Sequence, residues 1–275
     1  MKSLPDPTRI ETILRKQRHL VRRRPRCRLG FSLLAALFGW STSSLAENIS
    51  VFAENVTTHV LYHELAHAII REFELPVLAN EEAMADTFAT IYITGLLRDR
   101  AAEIVTDRVQ SWLFEDAEVS PDTYDFKGEH LLDIRRAYQA GCLFYGLDPA
   151  EFVEEVAFLE LSQRDLSDCS DTAPDQEAGW ARTLAPHLLP DGERSNKVEI
   201  IFGEGPLKDA MVASGLMQSF ADNVARFDWP QQITLHFDHC DQGAYWSRAN
   251  RKILLCDDYV QRFIAQGRAL GVTNP

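Results

Sequence analysis

"HELAHAIIREFELPVLANEEAMAD", His63 to Asp86, is the stretch whose reading decides the fold. Its first part continues the run "VFAENVTTHVLYHELAHAIIREF", where Val56, Val60, Ala66 and Ile70 recur near helical spacing, so a helix is expected from Phe52 to about Phe73. Pro76 disfavours helix at Leu75 and interrupts the run. Asn80 then fits an N-cap, and "EEAMADTFATIYITGLL" fits a second helix with two acids in its first turn. Two helices joined by a short break thus carry, in turn, two histidines and a cluster of acids.

On a helix, His63 and His67 lie one turn apart on the same face. Imidazoles so placed can bind one Zn²⁺, each at ~2.0–2.1 Å. Glu64 lies beside His63 and completes an H-E-x-x-H arrangement. Coordination lowers the pKa of a bound water to about 7, and Glu64 can accept its proton. The bland alternative is a solvated polar face. The helix is apolar nearly all round here, however, with Val60, Leu61, Leu65, Ala66, Ala68, Ile69 and Ile70. Such a helix is buried. Two buried imidazoles and a buried carboxylate need partners, and a metal satisfies all three.

The third ligand sets the class. An extended metzincin site needs Gly at 70 and His at 73; Ile70 and Phe73 exclude it. A carboxylate from the following helix remains, giving a His₂Glu set. Glu82 and Asp86 share a face, so Glu82 can bind the metal while Asp86 accepts the second ring N–H of a ligand histidine. Glu81 projects about 100° away, and the preference of helix starts for acids accounts for it. A further donor for the transition state is sought in "GEHLLDIRRAYQAGCLFY", a third expected helix stopped by Gly146. His130, Asp133 and Arg136 recur there in steps of three; His130 or Arg136 could be the donor, and a surface ion-pair row is the alternative. His59 could reach the site edge, whereas His187, His236 and His239 read as ordinary surface or strand residues.

Charge excludes some partners. The formal net charge is −13 over 275 residues, yet residues 1–28 carry ten Lys/Arg against two acids, which leaves −21 from Glu47 onward. A domain that acidic repels phosphate backbones, so nucleic acid is not an expected partner. The basic start leads into "LGFSLLAALFGW" and then "STSSLAEN", the three parts of a secretory signal peptide with cleavage expected after Ala46. The apolar run falls short of the ~20 residues that span a bilayer. Adding Ser41 to Ala46 brings it close, so an uncleaved anchor is the alternative. Cleaved, the chain keeps no membrane span and is periplasmic or secreted.

Four cysteines follow the signal, none in a C-x-x-C pair, which suits two disulfides in an oxidising compartment. Cys240 and Cys256 flank an expected strand–turn–strand and are expected to pair. Cys142 with Cys169 would tie the third long helix to the loop "DCSDTAPDQ". Residues 98–127 are polar and give no clear element. After the linker "PDGERSN" the texture changes: "KVEIIF", "QITLHF", "AYW" and "KILLC" are strand-like, "LKDAMVASGLMQSFADNVARF" is helical, and "DDYVQRFIAQGRA" closes as a helix. The expected fold is α+β. A helical, metal-binding part spans residues 47–189, and an α+β part, residues 190–275, packs on it as one catalytic unit with its late sheet behind the His63 helix.

"HELAH" followed by "NEEAMAD" resembles the gluzincin metallopeptidases, which implies a zincin-like fold, Zn²⁺ on His63, His67 and Glu82, Glu64 as base and Asp86 behind a ligand histidine. More closely, the chain resembles a mostly bacterial family catalogued as a domain of unknown function and named for an assumed metallopeptidase activity. The pieces that carry the resemblance are "FAENVTTHVLYHELAHAII", "PVL", "EEAMAD", "GEHLLDIRRAY", "CLFYGLDP" and a late cysteine pair ending "ILLC", from about Asn48 to Tyr259. That family often has Asn-Ala-aromatic between its last two cysteines and Tyr-Glu after the second; "GAYW" and Asp257-Asp258 stand there in this chain. The resemblance implies hydrolysis of a peptide or protein substrate. A zinc hydrolase acting on another ester or amide, or an inactive domain that binds a peptide or partner, are the alternatives; an intact Glu64 argues against the last.

Overall fold

The computed structural model describes residues 48–78 and 80–272. The signal peptide or anchor expected over residues 1–46 lies outside the described residues. The first helix, α1 (Val51–Glu72), is capped by the Ser50 side chain, which accepts the Ala53 N–H. The chain breaks after Phe73 and restarts as α2 (Glu81–Leu96), where Asn80 accepts the Ala83 N–H as its cap. Then come α3 (Arg98–Glu118), α4 (Asp133–Leu147), the single turn α5 (Pro149–Phe152) capped by Asp148, and α6 (Gln163–Leu184).

The second half holds β1 (Val198–Phe202), α7 (Lys208–Ser214), α8 (Leu216–Val224), β2 (Ile233–Asp238), β3 (Ala244–Ser247), β4 (Lys252–Cys256) and α9 (Asp257–Leu270). The strands form one sheet in the order β1-β2-β4-β3. β1, β2 and β4 run parallel, and β3 lies antiparallel on the edge, with Trp246 opposite Ile253. Gly215, at φ +69°, splits the single helix expected between β1 and β2 into α7 and α8.

The fold is α+β, a helix-rich first half followed by a small sheet with its helices. α1 is its axis. Apolar side chains leave it on nearly every side and meet α2, α3, α9 and the β3–β4 hairpin. One apolar cluster runs from Phe52 and Leu61 on α1 through Trp112 on α3 to Phe237 and Leu255 in the sheet. Burial so complete leaves no solvated face for the polar residues of α1, which must be satisfied inside. Disulfides join Cys142 to Cys169, between α4 and α6, and Cys240 to Cys256, between the loop after β2 and the end of β4.

Three sequence expectations fail for identifiable reasons. Residues 98–118 form a full helix whose apolar positions, Ala101, Ile104, Val105, Val109 and Trp112, do follow helical spacing but are outnumbered by charges on the other faces. "DCSDTAPDQ" is helix and not loop. Pro174 sits inside α6, which starts with a Ser162–Asp165 capping box and is tied to α4 by its disulfide. Gly146 does not stop α4; a Cβ there would lie 2.2 Å from the Cys169 carbonyl oxygen, so its role is to let α6 approach. In addition, α4 begins only at Asp133, so His130 belongs to the segment before it.

Candidate metal centre

After Phe73 the chain returns so that the start of α2 faces the middle of α1. Three donor atoms converge there. The Nε2 atoms of His63 and His67 are 3.2 Å apart. Glu82 sets one carboxylate oxygen 3.1 Å from His63 Nε2 and the other 3.4 Å from His67 Nε2. A tetrahedral ion with bonds of ~2.0–2.1 Å separates its ligands by roughly 3.3–3.4 Å, so the spacing fits one such ion.

The opposite nitrogens show how the donors are aimed. His63 Nδ1 lies 2.8 Å from Asp86 Oδ1, and His67 Nδ1 lies 2.9 Å from Glu81 Oε1. A carboxylate only accepts, so each Nδ1 carries the proton and each neutral ring turns an Nε2 lone pair inward. Two lone pairs and a carboxylate that close repel one another unless a cation or extra protons join them. Burial opposes charge on His63, yet Asp86 and Glu82 outweigh it and push its pKa up to about 9. His67 is shifted upward in the same sense against its burial, by Glu82 and Glu81. Burial works against the Glu82 charge, but His130, His63 and His67 hold its carboxyl well below the usual range. The cluster demands positive charge, which a divalent ion on these three residues would meet.

The carboxylates behind the histidines are themselves held. Arg136 on α4 donates Nε and Nη2 to the two Asp86 oxygens at 2.8 and 2.9 Å, and its guanidinium lies 4.6 Å from the centre of the Trp112 ring. Two of its donors thus hold Asp86 in place, and Arg136 also lines the cavity beside His63 and Glu64. Asp133 reaches Arg136 at 3.8 Å. Glu81 pairs with Arg71 as well as His67, so it does not turn away from the site as expected. At the first residue of a helix, a long side chain reaches the neighbouring helix despite a 100° offset, roughly one step round the helix.

Glu64 is 7% exposed, and burial pushes its carboxyl pKa up. His63, His67 and the nearby Trp246 backbone on the edge strand β3 oppose that rise. His130 Nε2 lies 2.8 Å from Glu82, and its ring is parallel to that of His63 with centroids 6.2 Å apart. Glu64, His63 and His130 line a cavity of about 340 Å³, which Gly243, Ala244 and Tyr259 line as well. His59 also lines it; fully buried, with Nε2 3.4 Å from Thr90 Oγ1, it is kept neutral by burial first and by Arg108 second. His187 stacks on Phe73, His236 lies on β2, and His239 pairs with Asp257, all apart from the cluster.

The family model described as "Putative metallopeptidase" matches residues 6–184, well over half of the chain. The chain belongs to this family. No curated protein and no solved structure matches it. In this member of the metallopeptidase family, the matched stretch contains the three converging donors, Glu64, both carboxylates behind the histidines, His130 and Arg136. The sheet and α9, which supply Trp246 and Tyr259, lie beyond it. Sequence reasoning sets Glu81 aside and does not find Trp246 or Tyr259. Glu81 is visible as one of two adjacent acids, whereas the approach of a distant strand leaves no signal in sequence.

Proposed function

We propose that the chain is an exported zinc-dependent peptidase of gluzincin type, with His63, His67 and Glu82 as ligands and Glu64 as general base. The observation that carries this reading is the convergence of two Nε2 lone pairs and a carboxylate at 3.1–3.4 Å, each imidazole backed by its own carboxylate. Bound there, Zn²⁺ would supply Lewis acidity to the attacking water and the scissile carbonyl. Glu64 takes the proton of that water and returns it to the leaving amine, a task that suits a carboxyl whose pKa burial has raised. The edge strand β3 packs on α1, and Ala244 and Tyr259 line the same cavity as Glu64, which supports reading the α+β part beyond residue 190 and the helical part as one catalytic unit. Asp86 and Glu81 fix the tautomers of His63 and His67, and Arg136 fixes Asp86. His130 is the donor nearest the cluster from the open side, and in this reading it turns from Glu82 to the developing oxyanion.

Export is part of the same reading. Two disulfides suit an oxidising compartment, periplasmic or extracellular, and no described helix is long and apolar enough to cross a membrane. The test is zinc content of the purified protein with hydrolysis of casein or a peptide library, before and after chelation. Stoichiometric zinc and chelator-sensitive cleavage are expected. Zinc without cleavage of any peptide would favour a hydrolase of another class.

A further inference from the structure

One guanidinium near the metal centre has no counter-ion among the described residues. Arg108, midway along α3, is 3% exposed. Its Nη1 donates to Ser111 Oγ at 3.2 Å, and its Nε has no partner. The Trp112 ring lies 4.2 Å away and the Phe263 ring 5.9 Å, which orients the group without neutralising it. The two other guanidiniums of the cleft are paired, Arg136 with Asp86 and Arg262 with Glu115. A buried lysine in this position could shed its proton; arginine cannot. A permanent buried charge that lacks an anion is costly, and an anion brought by a ligand removes the cost.

Position says which ligand. Arg108 lines the 340 Å³ cavity that holds His63 and Glu64, and also the larger cavity of about 970 Å³ that continues from it. A group bound to Arg108 therefore sits one short step from the reacting atoms. The acids that face Arg108 are otherwise engaged or apart. Glu115 accepts from Gln266 and pairs with Arg262, Asp116 accepts from Tyr124, and Asp133 reaches Arg136. Asp258 lines the smaller cavity without pairing to Arg108. These acids, and the −21 charge from Glu47 onward, deny an anionic ligand any long-range attraction. Recognition of an anion here has to be local, by direct contact with Arg108.

We propose that Arg108 binds a carboxylate of the substrate, the C-terminal carboxylate or an acidic side chain, on the residue at or next to the scissile bond. That the carboxylate belongs to a peptide rests on the peptidase reading above; the anion site itself does not. The test uses the zinc-loaded full chain carrying Glu64→Gln, which spares the peptide, and calorimetric titration with three N-acetylated peptides of otherwise uncharged residues. One has a free C-terminus, one is amidated with a single Glu scanned along it, and one is amidated with Gln instead. A charge-assisted contact of this kind should favour a carboxylate peptide by roughly 10–100-fold. Which of the first two gains names the source. Adding Arg108→Gln should erase the gain and leave the affinity for the neutral peptide unchanged, and Arg108→Lys should keep part of it. Repeating the titrations on metal-free protein separates a carboxylate held by Arg108 from one held by zinc. Equal affinity of the unsubstituted Arg108 protein for all three peptides overturns the proposal, and so does a gain that survives Arg108→Gln; the first of these stands even where Arg108→Gln fails to fold. Peptide cleavage with no carboxylate preference removes this inference alone. A carboxylate preference in binding with no cleavage of any peptide removes the peptidase reading alone.

Discussion

Two regions of the molecule contain the same chemical pair, a histidine Nδ1 against a carboxylate. At the start of β4's following helix, His239 Nδ1 lies 3.0 and 3.1 Å from the two oxygens of Asp257. Between α1 and α2, His63 meets Asp86 and His67 meets Glu81 at similar distances. The difference is at the other nitrogen. His239 is 67% exposed in its side chain and belongs to no group of converging metal donors among the described residues. The Nε2 atoms of His63 and His67 are buried against each other and against Glu82. A histidine–carboxylate pair is common surface chemistry; convergence of two of them on a third acceptor is what creates demand for a cation.

The largest expected effects come from removing that convergence or the group that uses it. Glu82→Gln replaces a charged oxygen donor with a poor one, and zinc is expected to be lost together with peptide hydrolysis. Glu64→Gln keeps the ligands and removes the proton acceptor, so zinc stays bound while turnover falls by roughly 10²–10⁴. Zinc stoichiometry after dialysis and kcat on a cleaved peptide measure both. Full activity in Glu64→Gln would sink the mechanism, and zinc retained in Glu82→Gln would show that convergence at Glu82 is not what holds the metal.

The carboxylates behind the histidines come next. Asp86→Asn and Glu81→Gln each leave a ring that can flip its tautomer, and each is expected to weaken zinc binding by about 10–100-fold. Asp86→Asn should cost more, because it also strands Arg136, which is only 10% exposed in its side chain and has its Nε and Nη2 on that carboxylate. Competition with a chelator of known affinity gives the two values. An unchanged affinity in Glu81→Gln would mean that one backed histidine is enough.

The Glu81 case shows where the sequence stops being legible. The two helices, the Asn80 cap, the H-E-x-x-H face and the Glu82–Asp86 spacing are readable because each is local, set by residues within one or two turns. Helical azimuth sets Glu81 off the His63–His67 face, but at a helix terminus a long side chain reaches further than azimuth implies. α3 and α6 were missed for a related reason. Their apolar stripes are narrow and the rest of each is charged, so composition masked period, and Pro174 looked like a break that packing against α4 overrides. The wall of the site was not readable at all. Trp246, Tyr259 and Arg108 arrive from a strand edge and two helices whose positions follow from the whole core.

A pH series sharpens the comparison further. His63 has an ordinary value of 6.5 and is raised to about 9 in the folded, metal-free chain. A group raised on folding stabilises the fold fully below its unfolded value and stops doing so as pH climbs through its folded value. Metal-free protein should therefore lose thermal stability between pH 6.5 and about 9. Zinc must displace the same proton, so its apparent affinity should rise over that window by about tenfold per pH unit. Melting curves at several pH values, with and without zinc, should diverge upward. A zinc increment independent of pH would mean that His63 holds no proton in the empty site.

The smallest effect belongs to the other region, and it is the control on which the comparison rests. His239→Gln removes the exposed histidine–carboxylate pair and should leave zinc stoichiometry and peptide cleavage unchanged. An exposed ion pair contributes roughly 0–1 kcal/mol, because solvent screens it and the side chain loses freedom in forming it. Asp257 is the buried member, at the first residue of α9, where the unpaired N–H groups of a helix start favour a negative charge even without His239. The midpoint of urea unfolding should accordingly move little. A drop in zinc content or activity in His239→Gln would show that the two regions are coupled and that convergence alone does not separate them.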